Sequence, residues 1–383
     1  MASFRKRGSK WQFRIQYKDV SGETHQIQEG GFSTKAMAAN AARDYETKLS
    51  RGADPVNDDI MFIDYWDKWI EAYKSGDKSS NTEYRYRLLR SHLSREFAGR
   101  SLKSIKPMEW QTFLNDFSEG KDLKKPHTRS RDIVSKMNGY VRSMVKSAIN
   151  NQLIYTDFTY GATIRGEKSS SKIKVLQAAD FAAVKRIAAE RAHASSSGAV
   201  AVYIASMTGL RVSEVLALQW TDIDEQAGVV HVTKSWDYHR DKDFAPTKTE
   251  SSIRDVEVSP AFFEVMARVH REQAERNIKT GYRDDLGLVL RTYMHTVPTD
   301  AACNKALKTI EDHAGIPDDK QITFHGLRHS HVSYLIAQGV DIYYISKRLG
   351  HADVSITLKV YGHLLDDQRS REAAKALSAL DAL

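Results

Sequence analysis

The chain holds one cysteine, Cys303, in 383 residues. That excludes an internal disulfide framework and any zinc site built from several thiolates. No run of eighteen apolar residues occurs, so no membrane-spanning helix is expected. No GxxxxGK[ST] loop occurs either, so an ATP site of that kind is not expected. The basic start, MASFRKRGSKWQF, is not followed by an apolar stretch, so it does not read as a secretory signal. Together these absences fit a reducing, cytoplasmic compartment.

What is present is an ordinary globular composition, 41% hydrophobic and 28% charged, long enough for two or three domains. The formal net charge is +8, which favours a polyanionic partner. The excess is concentrated at the start. Residues 1–52 carry ten Lys/Arg (Arg5, Lys6, Arg7, Lys10, Arg14, Lys18, Lys35, Arg43, Lys48, Arg51) against five acids. Within them Trp11, Phe13, Ile15 and Tyr17 alternate with polar residues, as on a half-buried strand. A turn at Asp19 to Gly22 leads to a second strand from Thr24 to Phe32, and Ser33-Thr34 offers an N-cap for a helix. The first fifty residues therefore read as a small antiparallel sheet plus one helix, with Arg and Lys on the open sheet face.

Arg51 to Asp59 reads as a turn-rich linker. Beyond it, Phe62, Tyr65, Trp66, Trp69 and Tyr73 recur at helical spacing and are expected to form a core stripe. Further helices are expected from Ser79, with Tyr84, Leu88 and Leu89, then over 104–117 and 128–153. Residues 58–160 thus form an all-helical unit. Gly161 to Ser171 lacks apolar periodicity and reads as an interdomain linker. From about Lys174 the pattern mixes helices (180–191, 198–208, 213–218) with strands (229–235, 253–258), and becomes mostly helical to Leu380. The polar excursion Trp236 to Ser252 between the strands presents Lys242 and Lys248.

The reactive residues gather in HGLRHSHVSYLIAQGVDIYYISKRLGHADVSITLKVY, residues 325–361, with a distant partner in TGLRVSEVLAL at Arg211. His325 and Arg328 are one helical turn apart and face one point. Opening a phosphodiester without a metal needs cations on the non-bridging oxygens, a nucleophile and an acid for the leaving oxygen. Arg211 and Arg328 can supply the first, as planar forked donors. Tyr361 can supply the second, through a covalent phosphotyrosine. A lysine of the excursion, with His325 or His351, can move the proton. Glu214 reads as structural support for Arg211. His329 and His331 read as packing or polar-face residues, and Tyr343 and Tyr344, with Ile342, Ile345 and Leu349 beside them, as core or near-core.

At these residues the chain resembles the tyrosine recombinase family, the phage-type integrases. The match covers the C-terminal domain, from TGLRVSEVLALQW to LGHADVSITLKVYGH. It implies a catalytic set of Arg211, Lys248, His325, Arg328, His351 and the nucleophile Tyr361, with Lys242 as the rival of Lys248 on a mobile hairpin. Residues 1–52 resemble an arm-site DNA-binding domain, 58–160 the helical core-binding (SAM-like) domain, and 174–383 the α+β catalytic domain. The whole is then a multidomain, mainly α protein with small β-sheets, the first of them three-stranded.

The resemblance implies a site-specific integrase of a phage or other mobile element, acting on double-stranded DNA at core and arm attachment sites in a bacterial host cell. Tyr361 would form a 3′-phosphotyrosine and free a 5′-hydroxyl. Two rounds of exchange would pass through a Holliday junction in a homotetramer, with no metal or nucleotide cofactor. The C-terminal tail, 366–383, would dock on a neighbouring protomer. An excisionase and a host DNA-bending protein are the accessory partners such a system admits. Two other readings stay open: a type IB topoisomerase-like relaxing enzyme, and a DNA-binding regulator without chemistry.

Overall fold

The computed structural model describes residues 2–18, 22–50, 60–76, 80–168, 174–238, 243–247, 249–366, 377, 380 and 381. The expected linker at 51–59, Lys242, Lys248 and most of the tail beyond 366 lie outside the described residues. Two compact units divide the chain, Met1–Ser170 and Ser171–Leu383.

The first unit opens with strands β1 (Ser3–Arg7), β2 (Lys10–Lys18) and β3 (Thr24–Phe32), paired antiparallel in chain order. Alternation works as expected: Phe13 and Ile15 are buried under helix α1 (Lys35–Ser50), with Ala38 and Ala42. Thr34 caps that helix, its Oγ1 accepting the Met37 N–H at 3.2 Å. The pairings Ser3 with Arg14, Arg5 with Gln12 and Arg7 with Lys10 place Arg5, Arg7, Lys10 and Arg14 on the opposite, exposed face.

Helices α2 (Phe62–Lys74), α3 (Ser80–Phe97), α4 (Pro107–Glu119) and α5 (Arg131–Asn150) follow. Phe62, Tyr65, Trp66 and Trp69 bury as predicted, but Tyr73 is exposed. In α3 the buried stripe is Tyr86, Leu89, Leu93 and Phe97, while Tyr84 and Leu88 face outward. The core is rich in aromatic rings, and its buried Trp110 indole donates to Asn138 Oδ1 at 2.9 Å, so no polar atom of that ring is orphaned. Residues 161–167 pack on this unit. Ala162 and Ile164 join its core, and Glu167 bridges to the start of α5 through Arg129 and Arg131 backbone bonds.

The second unit holds α6 (Ala178–Glu190), α7 (Ser197–Thr208), α8 (Val212–Leu216), β4 (Ile223–Asp224), β5 (Val229–Val232), β6 (Lys234–Asp237), β7 (Asp243–Pro246) and β8 (Arg254–Glu257). It continues with α9 (Pro260–Thr280), α10 (Asp300–His313), α11 (Phe324–Ala337), α12 (Ile342–Leu349) and α13 (Val354–Asp366). Helix α7 is apolar on every side and is buried almost throughout, as a central helix must be. Strands β4, β5 and β8 form one antiparallel sheet, and β6 and β7 a separate two-stranded ribbon. The expected single strand at 229–235 is split between the two. A second, small cluster of Val332, Ile336, Ile345, Leu349 and Tyr361 joins α11, α12 and α13. Among the described residues no helix is long and apolar enough to cross a membrane.

Candidate active site

Helices α8 and α11 carry the two predicted arginines. Arg211 stands at the N-cap of α8, where Gly209, at φ 70°, ends α7 and turns the chain. Its Nη1 donates to Glu214 Oε1 at 2.6 Å, and its backbone N–H donates to Glu214 Oε2 at 3.0 Å. Glu214 is 3% exposed and also accepts from Arg254 Nη2 at 3.0 Å. Burial works against its charge, but the two guanidinium groups outweigh it and hold the carboxyl below its ordinary range. The structural role read for Glu214 is therefore what the geometry places there.

Arg328, on α11, is 4% exposed. Its Nη1 donates to the Gly209 carbonyl at 2.8 Å and its Nη2 to the Leu349 carbonyl at 2.6 Å. One side chain thus ties the end of α7 to the end of α12. Both carbonyls belong to helix C-termini, where backbone oxygens lack helical partners. Gly350, at φ 69°, closes α12, and a Cβ there would lie 3.0 Å from the Ser251 carbonyl oxygen. Burial and the nearby Arg211 push the Arg328 guanidinium down to about 9, an environment that is short of negative charge.

His351 follows directly. Arg328 Nη2 lies 3.2 Å from His351 Nε2, and His351 Nδ1 lies 2.7 Å from Thr357 Oγ1. An arginine can only donate, so Nε2 accepts and the ring is the neutral Nδ1–H tautomer, donating to Thr357. Burial, then Arg328 and Arg211, lower its pKa to about 4, consistent with that assignment. His325 is solvent-accessible at the start of α11. Its pKa is lowered by the packing around its ring, then by Arg328 and Arg211.

Tyr361, on α13, is 4% exposed within the small second cluster. Its hydroxyl lies 2.5 Å from His329 Nδ1. Burial raises the phenol to about 12, with Arg328 pulling the other way, so it carries its proton and donates to the imidazole. The five described residues of the predicted set, Arg211, His325, Arg328, His351 and Tyr361, thus occupy one region of the second unit. The lysine assignments, Lys248 and Lys242, fall outside the described residues.

Two expectations are corrected. Tyr343 is 60% exposed, and Tyr344 is also exposed, donating to Glu257 Oε2 at 3.0 Å. Helix α12 turns Ile345 and Leu349 inward and both tyrosines outward. His329 is more than a packing residue, since it holds the Tyr361 hydroxyl. His331 does pack: it is buried against Gly209, bonded to the Ser206 carbonyl at 3.0 Å and to Arg348 Nε at 3.2 Å.

Sequence reasoning also missed Arg254. This residue lies on the same face of β8 as the buried Val256, and its Nε donates to the Arg348 carbonyl at 2.6 Å. An arginine at an inward strand position was the available signal.

A buried arginine fork beside a second arginine, two histidines and a sequestered tyrosine, on this helical scaffold, defines a class. The chain belongs to the phage integrase family, which it matches over residues 176–368, about half of its length. Residues 3–49 match an arm DNA-binding domain.

The chain is 27% identical to the integrase of Staphylococcus phage L54a over 348 residues, covering 84% of this chain and 93% of that one. It is 35% identical to the ICEBs1 integrase of Bacillus subtilis over 174 residues, 45% of this chain and 46% of that relative. In fold it resembles the Tn1549 transposon integrase solved with transposon right-end DNA. The TM-score there is 0.64 at 16% identity, covering 82% of this chain and 99% of that one. A lambda integrase dimer bound to a core site aligns with a TM-score of 0.54 at 16% identity, covering 93% of each chain. The chain is a tyrosine-type site-specific recombinase, an integrase.

Proposed function

We propose that this integrase cuts and rejoins double-stranded DNA through Tyr361, with Arg211 and Arg328 holding the scissile phosphate. The observation that carries the reading is a charge deficit. Among the described residues, three guanidinium groups, of Arg211, Arg254 and Arg328, are coupled to the single carboxylate of Glu214. A phosphodiester is the anion that would complete such a site, and guanidinium forks match its oxygens. Attack by Tyr361 forms the Tyr361 Oη–P bond and breaks the P–O5′ bond, leaving a 3′-phosphotyrosine. Lys248, or its rival Lys242, gives the 5′-oxygen its proton. His325 or His351 assists that proton transfer. The 5′-hydroxyl of a partner duplex reverses the step, and two such rounds pass through a Holliday junction.

The exposed basic face of the first sheet suits arm-site DNA, in a domain spanning 1–52. The helical domain, 58–160, and the catalytic domain, 174–383, take the core site. A homotetramer on DNA fits the reading, since a lambda integrase tetramer was solved on a Holliday junction. An excisionase and a host DNA-bending protein belong to the same reading, in a bacterial cytoplasm. The test uses a nicked duplex carrying the junction sequence that flanks the gene. The wild-type protein should accumulate a covalent adduct and Tyr361→Phe none; an adduct that persists in Tyr361→Phe overturns the assignment.

A further inference from the structure

The contact between His329 and Tyr361 is unlike the other bonds of the site. Arg211, Arg254 and Arg328 are each tied to fixed carbonyls or to Glu214. Among the described residues, the Tyr361 hydroxyl is held by the imidazole of the residue that directly follows Arg328. The rings sit 5.7 Å apart between centroids, and His329 in turn meets His325 edge-on at 4.8 Å. A buried phenol is a poor nucleophile until its proton has somewhere to go. The groups that face His329 are His325 and Arg328 on its own helix and Tyr361 on α13. Two of these neighbours favour a neutral ring, and the third donates to it.

We infer that His329 is a further catalytic residue of this integrase, one that holds the Tyr361 hydroxyl through Nδ1 and takes its proton as the oxygen attacks phosphorus. The inference rests on Tyr361 being the nucleophile. In the forward step the Tyr361 O–H bond breaks and an N–H bond forms at His329 Nδ1. The Oη–P bond forms, and the P–O5′ pair leaves with the 5′-oxygen, protonated by the lysine. In the return step the 5′-hydroxyl attacks and gives its proton back to the lysine, Tyr361 Oη leaves, and the imidazolium returns its proton to it. Burial, His325 and Arg328 lower His329 to about 4, so it is an unprotonated acceptor at neutral pH. It also sits on the rigid helix that carries Arg328, so acceptor and phosphate holder keep one geometry.

The experiment separates this proton from the one on the leaving group. Full-length protein is given the same junction duplex in two forms, one ordinary and one with sulfur replacing the bridging 5′-oxygen at the scissile position. A thiolate leaves without an acid, so a lysine variant regains rate on the sulfur DNA. His329→Gln should form adduct about 100-fold more slowly on both substrates, the range of general base catalysis. Its rate should keep rising with pH where the wild-type rate has levelled, while DNA binding by gel shift is unchanged.

A wild-type rate in His329→Gln overturns the inference. So does an equal loss at every pH, which would mark a packing role. Should His329→Gln not fold, the Tyr361→Phe protein carries the test. Its His329 Nδ1 must show an altered nitrogen chemical shift on losing the bond, and an unaltered one overturns the inference. An adduct in Tyr361→Phe would instead sink the nucleophile assignment itself.

Discussion

The two halves of the active site are built differently. The proposed phosphate side is a lattice of buried charge. Arg254 reaches Glu214, the Ser252 carbonyl and the Arg348 carbonyl; Arg328 joins the ends of α7 and α12. The tyrosine side, among the described residues, is the bond to His329 and a small apolar cluster shared by α11, α12 and α13. Groups that must match a phosphate in the transition state are pre-set, because reorganising them during the reaction would add to the barrier. The proposed nucleophile is held by weaker, mostly non-directional contacts, which suits a group that is stored and delivered.

The largest expected effect breaks the rigid half. Arg328→Lys keeps the charge but cannot bond both the Gly209 and Leu349 carbonyls. Adduct formation should fall about 1000-fold while DNA affinity stays within a few-fold, since a transition-state donor is lost. Comparable cleavage by Arg328→Lys and wild type would show that the fork is not used.

Glu214→Gln comes next. It leaves Arg254, 7% exposed at its side chain, without its carboxylate. Removing one member of a buried pair costs on the order of 3 kcal/mol, so chemical denaturation should shift accordingly, with cleavage falling alongside. An unchanged unfolding midpoint would mean that the lattice does not support Arg211.

On the tyrosine side, Ile345→Ala removes fully buried volume from the cluster that seats Tyr361. It should cost about 2 kcal/mol and make α13 the first segment cut by protease, with a much smaller loss of cleavage than Arg328→Lys. A loss of cleavage as deep as that of Arg328→Lys would erase the distinction between the halves.

How legible was this in the chain? Residue type and spacing pointed to His325, Arg328, His351 and Tyr361, because all four share one stretch and helical period links the first two. Arg211 alone reads as an ordinary helix-start arginine, and only Glu214 and the distant His325 and Arg328 pair single it out. What stayed hidden depends on contacts far apart in sequence. Arg254 meets Glu214 only once β8 is paired in the sheet beside α8, and His329 meets Tyr361 only once α13 folds back on α11. Apolar neighbours in sequence do not imply burial for the two tyrosines of α12. The helix phase that buries Ile345 and Leu349 puts Tyr343 and Tyr344 outside. The phase of α3 shifted in the same way, toward Tyr86 and Leu93.

The smallest expected effect concerns a buried carboxyl outside both halves, a contrast to Glu214. Glu311 is fully buried on α10; its Oε1 accepts the Ile322 N–H at 3.0 Å, and its Oε2 has no partner among the described residues. Burial raises it to about 7 from an ordinary 4.5. Between those values the folded protein binds more protons than the unfolded chain, so stability falls as pH rises through that window. Glu311→Gln should therefore be more stable than wild type by about 1–2 kcal/mol at pH 8, with no gain near pH 4.5. A gain of equal size at both pH values would point to packing instead.

The most direct test of the central claim is to map the covalent bond. The wild-type protein, trapped on nicked junction DNA, is digested with trypsin and the nucleotide-bearing peptide is sequenced by mass spectrometry. Cleavage after Lys359 and Arg369 releases residues 360–369, in which Tyr361 is the sole tyrosine. The account predicts the phosphonucleotide on that peptide. Its appearance on the peptide 329–347, which carries Tyr334 and the exposed Tyr343 and Tyr344, would contradict it.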